Sequence, residues 1–205
     1  MILLACAVEA ELGSWADRQG VETAITGVGP VEASCAIAFA VARRRYELVV
    51  NAGIAGAFEG AARIGEGVIV TDDTFELALE DGRPLVIPNG RSVADKARSD
   101  PRLVARLRAK GFAALHGVTV ARVTSTEETA ARLGRLGAQV ESMEGFAVLR
   151  AAELAGVPAI ELRGISNRVG SRSGSGWNFE AGVAGLQSVL LGLFDVIDAP
   201  NGATT

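Results

Sequence analysis

Histidine is almost missing from this chain: His116 is the only one among 205 residues. A single histidine speaks against His-based triads and against the usual zinc sites, and its place at the start of an expected strand suggests a partly exposed surface residue. Cysteine is as sparse. Cys6 (in ACAV) and Cys35 (in SCAI) lie in apolar surroundings with no paired spacing, so neither a disulfide framework nor a metal site is expected. Two buried, reduced thiols in a cytoplasmic protein are. Excess positive charge is absent too. The formal net charge is −4, and the one basic cluster, Arg43 to Arg45, reads as the solvated end of a helix. That excludes the electrostatic footprint of a nucleic-acid or anionic-membrane binder. No apolar run is expected to span a bilayer. MILLACAV lacks a charged leader and runs at once into Glu9 and Glu11, so it reads as a strand and not a signal peptide.

What is present is a globular composition, 49% apolar and 21% charged, enough for one core without staples. One domain over 1–198 is expected, with 199–205 as a disordered tail. Short β-branched runs at 2–8, 21–26, 48–51, 67–71, 117–123 and 159–165 read as strands. Longer amphipathic runs at 31–45, 101–111, 127–136, 143–155 and 179–197 read as helices. Asp100-Pro101 and Gly156-Val157-Pro158 punctuate two of them. This alternation predicts an α/β domain with a largely parallel sheet between helices. Residues 76–99 read as a lid, binding loop or contact surface.

Sites in such folds gather at the carboxyl ends of strands. Three segments stand there. AVEAEL brings Glu9 and Glu11 off the first strand, either as a pocket base or as solvated loop acids. NAGIAGAF, Asn51 to Phe58, has small residues that let a ligand approach, or merely pack strand against helix; no GK[ST] follows it. VESMEGFAV places Glu144 in a helix's first turn, where the dipole favours a negative charge and a carboxylate can grip two neighbouring hydroxyls. TGVGPVEAS lacks the third glycine of a dinucleotide loop.

In register, AVEAE, NAGIAG, ESMEG and RGISN resemble the nucleoside phosphorylase superfamily, and within it the methylthioadenosine/S-adenosylhomocysteine nucleosidases, over roughly 1–197. The resemblance implies a three-layer fold, a central mixed, largely parallel sheet flanked by helices, and a homo-oligomer, dimer or larger. It gives Glu11 the role of activating water and Met143 and Glu144 that of holding ribose. Arg163 and Ser166 belong to the strand supporting base recognition. Ile54 stands where the family's glycine loop has a serine, and Trp177 is where an aromatic covers the substrate, or else a surface anchor. ESME carries an extra residue relative to the family's EME, so Glu141 has no assigned role. The segment between Leu12 and Val21 is short. The family's aspartate that protonates adenine is Asn167 here.

That exchange has a chemical meaning. A 6-oxopurine presents a carbonyl where adenine presents an amine, so a carboxylate meets it acceptor to acceptor. An amide offers a donor and an acceptor together. A buried mismatch of this kind costs about 1–3 kcal/mol, enough to set preference. With ISN, Val169-Gly170, Arg172 and Trp177-Asn178, the chain resembles the futalosine hydrolases of that superfamily. The resemblance implies cleavage of a small nucleoside by water, with neither metal nor organic cofactor. Arg172 or Arg168 would pair with the substrate's distal carboxylate. A methylthioadenosine or aminofutalosine nucleosidase, a phosphorylase, and a silent nucleoside-binding protein are the competing readings.

Overall fold

The computed structural model describes residues 1–13, 15, 18–83, 85–88, 93–170 and 177–199. Eight strands form one sheet: β1 (Ile2–Cys6), β2 (Val21–Ile25), β3 (Leu48–Ala57), β4 (Gly67–Phe75), β5 (Lys96–Arg98), β6 (Ala113–Thr119), β7 (Val140–Ser142) and β8 (Ala159–Arg168). Five helices cover it: α1 (Pro30–Arg43), α2 (Pro101–Ala109), α3 (Glu127–Arg135), α4 (Gly145–Leu154) and α5 (Phe179–Asp198).

The three layers follow from the period-2 burial of the strands. Leu3, Ala5 and Val49 face α1 and α4, whose Ala33, Ile37, Ala147 and Val148 meet them. Leu4, Cys6, Leu48 and Val50 face the opposite way, onto Val104 and Leu107 of α2 and Leu186 to Val196 of α5. The sheet is mixed, with β4–β5, β4–β8 and β3–β7 antiparallel and the other pairs parallel.

β3 is the pivot. Its first residues pair with β1, its last two pair with β7, and β8 runs along it from Val49 to Ala57. Because β8 also pairs with β4, β4 with β6 and β6 with β7, five strands close on themselves. Ala55, Val68, Leu115, Val140 and Ile165, one from each strand, pack together with Ala57 and Val70 as a separate small core. The expected strand at 48–51 therefore runs on through NAGIAG, since β8 and then β7 satisfy a backbone that read as a glycine loop. β6 lies earlier than expected, at Ala113–Thr119, and the three-residue strands β5 and β7 were not foreseen. Their identity comes from their partners rather than from any run of their own.

α5 corrects the expectation that no apolar run reaches membrane length. Among the described residues it alone is long and apolar enough, but half of it is buried within the fold. It presses on the strands backbone to backbone. A Cβ on Gly164 of β8 would stand 1.8 Å from the Gly182 carbonyl, and one on Gly67 of β4 would stand 2.3 Å from that of Gly185. Only glycine permits an approach this close. Cys6 is buried and its thiol is pushed up to about 12 by that burial and by the nearby Glu11 charge. Cys35, expected inside, is exposed, because α1 turns Ala33 and Ile37 inward and Cys35 outward.

Candidate active site

β1 ends at Cys6, and a single 3₁₀ turn, Glu9–Glu11, follows. The turn decides between the two acids: Glu11 is buried, whereas Glu9 stays in solvent. Glu11 Oε1 accepts from the backbone N–H of Ile54 at 2.9 Å, and Oε2 from that of Val8 at 3.3 Å. Burial pushes its carboxyl above the usual range, against the pull of the Ile54 N–H and the Arg163 guanidinium. A carboxyl raised in this way and fixed at both oxygens is suited to take a proton from water.

Glu144 comes from the far end of the chain, at the start of α4, just after β7. It is buried, and Oε1 accepts from the backbone N–H of Gly29 at 2.9 Å. Gly29 holds φ at +100°, a conformation that favours glycine, so the VGP turn before α1 presents its N–H to this carboxylate. Oε2 lies 4.0 Å from Arg163 Nη1, an electrostatic contact and not a hydrogen bond. That oxygen keeps acceptor capacity for a hydroxyl. Met143, half-buried in the turn beside it, offers an apolar surface.

Arg163, on β8, is 2% exposed and lies between the two acids. Its Nε donates to Glu161 Oε1 at 2.8 Å, and a Cβ on Gly53 would sit 2.3 Å from Nη1 and 3.4 Å from Glu11 Oε1. The first glycine of NAGIAG thus makes room for a guanidinium, where a ligand's approach was expected. Arg163 correspondingly belongs under the carboxylates and not to the wall of the base pocket.

Asn167 lies four residues further along β8, roughly 13 Å at the rise of a strand. A register shift after Ala55 leaves Ser166 out of the ladder. The Ser166 hydroxyl stands 2.9 Å from Asn167 Oδ1 and 3.2 Å from the Ala55 carbonyl. Asn167 Nδ2 donates to the Arg168 carbonyl at 3.0 Å, which engages one of the two amide hydrogens. Trp177 Nε1 donates to Ser166 Oγ at 3.2 Å while the residue as a whole is 69% exposed. Ser166, Asn167 and Trp177 form one group at this end. Ile54, half-buried on β3, contributes its backbone N–H to Glu11.

Other residues fall elsewhere. Arg168 is exposed and paired with Glu59 at 3.1 Å; Arg172 lies outside the described residues. Glu141, on β7, accepts from the Thr124 N–H at 3.1 Å and so braces the segment leading into α3. His116 pairs with Asp72 at 2.7 Å and its side chain is 59% exposed, as its position suggested. Sequence reasoning weighed Gly29 only as part of a nucleotide loop and passed over Glu161 and Asp73; TGVGP, ELR and TDD carried no sign that they converge.

A domain of this topology, with two buried carboxylates at strand ends flanking an arginine, defines a class. Residues 11–193 match the family described as the phosphorylase superfamily, and the chain belongs to it. Among its relatives, the futalosine hydrolase of Thermus thermophilus is 36% identical over 169 residues, spanning 78% of this chain and 75% of that protein. The futalosine hydrolase of Streptomyces coelicolor is 33% identical over 190 residues, 88% and 81% respectively. Solved structures of the same fold include two methylthioadenosine/S-adenosylhomocysteine nucleosidases. That of Neisseria meningitidis has a TM-score of 0.81 at 15% identity, over 95% of this chain and 98% of its own. That of Helicobacter pylori has 0.82 at 16%, over 95% and 97%.

Proposed function

We propose that the protein hydrolyses the N-glycosidic bond of futalosine, releasing hypoxanthine and dehypoxanthine futalosine. The observation that supports this reading best is the pairing of Glu11 and Glu144. Both are buried, each is held by a backbone N–H, and one guanidinium faces both. The chain's 33–37% identity to futalosine hydrolases selects the substrate.

In this mechanism the ribose hydroxyls donate to Glu144, most strongly as the sugar gains oxocarbenium character, and Met143 packs on the ring. Glu11 takes a proton from water as the oxygen attacks the anomeric carbon and the bond to purine nitrogen breaks. Asn167 receives the base. Its remaining N–H serves the 6-oxo group, and the departing hypoxanthine takes up one proton from solvent. Trp177 and Ser166 hold the Asn167 amide in place. Of the two arginines considered for the distal carboxylate, Arg168 is exposed and paired with Glu59, which leaves Arg172 for that role. The enzyme would work as a cytoplasmic homo-oligomer in the futalosine route to menaquinone.

The test is product analysis on the purified protein with futalosine, with methylthioadenosine, and with futalosine plus inorganic phosphate. Hypoxanthine release from futalosine alone, unchanged by phosphate, is expected. Phosphate-dependent release, or faster cleavage of methylthioadenosine, overturns the proposal.

A further inference from the structure

Beneath the two carboxylates lies a second acidic pair. Asp73 of β4 is 1% exposed and Glu161 of β8 is 0% exposed. Asp73 Oδ1 accepts from the Thr119 hydroxyl at 2.6 Å, and Glu161 Oε1 accepts from Arg163 Nε at 2.8 Å. The other oxygen of each, Asp73 Oδ2 and Glu161 Oε2, is buried without a hydrogen-bond partner among the described residues. These two oxygens converge. A Cβ on Gly145 would stand 2.3 Å from Asp73 Oδ2 and 2.7 Å from Glu161 Oε2, and one on Gly117 would stand 2.5 Å from the same Asp73 oxygen. Both carboxyl groups therefore reach into the space left by the missing side chain of Gly145, and Asp73 also into that of Gly117.

Electrostatics limits how such a pair can exist. Glu11, Glu144, Asp73 and Glu161 are all buried, and among the described residues Arg163 is the single buried cation facing them. Four ionised acids around one guanidinium would leave adjacent buried charges uncompensated. One proton between Asp73 Oδ2 and Glu161 Oε2 satisfies both orphaned oxygens and removes one charge, while leaving a carboxylate for Arg163. Burial drives the Asp73 carboxyl well above its usual range, with the Glu161 charge adding to it and the Thr119 hydroxyl opposing.

We propose that Asp73 and Glu161 share one proton, and that this pair is a positioning device for the hydrolytic site. Glu161, kept as a hydrogen-bonded carboxylate, holds the Arg163 guanidinium between Glu11 and Glu144. Asp73 reaches the same site by another path: the Thr119 oxygen that donates to it also accepts from the Phe146 N–H at 2.7 Å, in the first turn of α4 beyond Glu144. One buried proton thus sets both the cation and the helix start that carries the ribose-gripping acid. The proposal rests on the hydrolase reading for its catalytic consequence but not for the proton itself.

Two measurements on the full chain test it. The first is an infrared difference spectrum at pH 8 between wild type and Asp73→Asn. A band from a protonated carboxylic acid, present in wild type and absent from the variant, is expected. Its absence from the difference overturns the shared proton, whatever the substrate proves to be. The second is futalosine hydrolysis. Asp73→Asn, whose amide still donates to Glu161, is expected within about threefold of wild-type kcat. Glu161→Ala, which strands the guanidinium, is expected to lower kcat at least thirtyfold with KM within threefold, and Glu161→Gln to recover most of the loss. Equal kcat for Glu161→Ala and wild type overturns the positioning role. Should Glu161→Ala fail to fold, the ratio of Glu161→Gln to Asp73→Asn/Glu161→Gln decides instead. The double variant leaves Arg163 with no charged partner in the pair and is expected to be slower by at least tenfold, and equal rates overturn the role. No cleavage by wild type, with the infrared band present, removes the hydrolase reading and leaves the proton.

Discussion

Gly53→Ala isolates the packing beneath the site, because Gly53 contributes no functional group. In the interior of a strand, replacing glycine by alanine ordinarily stabilises by roughly 0.5–1 kcal/mol. Here the new methyl would meet Arg163 Nη1 at 2.3 Å and Glu11 Oε1 at 3.4 Å. The guanidinium has nowhere cheap to go: it is 2% exposed and tied through Nε to Glu161. Overpacking a tight interior costs about 1–3 kcal/mol, and breaking a buried ion pair about 3–5 kcal/mol. A partial shift of the guanidinium, offset by the strand propensity, gives a net loss of about 2 kcal/mol. For a chain of this size that lowers Tm by roughly 4–8 °C. Since the displaced groups are Arg163 and the Ile54-anchored oxygen of Glu11, kcat should fall about 10–100-fold with little change in KM, as expected when a fixed geometry is lost. Thermal unfolding followed by circular dichroism and steady-state hydrolysis of futalosine measure the two effects. A Gly53→Ala protein with wild-type Tm and kcat would refute the packing argument and, with it, the placement of Arg163.

The remaining predictions concern the site itself. Glu11→Gln removes the base and should lower kcat about 10²–10⁴-fold with KM nearly unchanged; a variant retaining a tenth of wild-type turnover would exclude Glu11 as the base. Because burial raises the Glu11 carboxyl, and only its ionised form accepts a proton, wild-type kcat should fall as pH drops through a value above the ordinary carboxylate range. The pH–rate profile should lose that limb in Glu11→Gln. Glu144→Gln keeps an acceptor but places an amide donor among the hydroxyls, and kcat/KM should fall about 10²-fold or more; a change below threefold would mean that another group holds the ribose. Asn167→Asp should weaken cleavage of futalosine relative to 6-amino nucleosides by about 10-fold or more, from a mismatch of about 1–3 kcal/mol. An unchanged ratio in a competition assay would locate selectivity elsewhere in the pocket.

Much of this site was legible in the one-dimensional order of residues. Glu11 follows an apolar strand within a few positions, and Glu144 opens an amphipathic helix, so local patterning alone marks both as acids at element ends. The same patterning failed where a residue's surroundings come from distant chain. NAGIAG looks like a flexible loop by composition, yet two neighbouring strands satisfy its backbone and make it the second half of β3. β7 is three residues long and exists only because β3 and β6 flank it. Arg163 looked like part of the base pocket because Asn167 shares its strand, but Gly53, on the strand beside it, opens a slot that turns its side chain beneath the acids.

By itself, then, the sequence determined the layered α/β class, the helices, the two acids and the amide, Asn167, that ends the last strand's motif. Each of these depends on periodicity or on side-chain chemistry carried within a few residues. Tertiary structure alone decided which acid enters the site, which cation faces it, and that Asp73 and Glu161 reach into the same buried space. Those outcomes depend on through-space Coulomb forces and on the absence of a Cβ at Gly53, Gly117 and Gly145, relations between strands that no local pattern records.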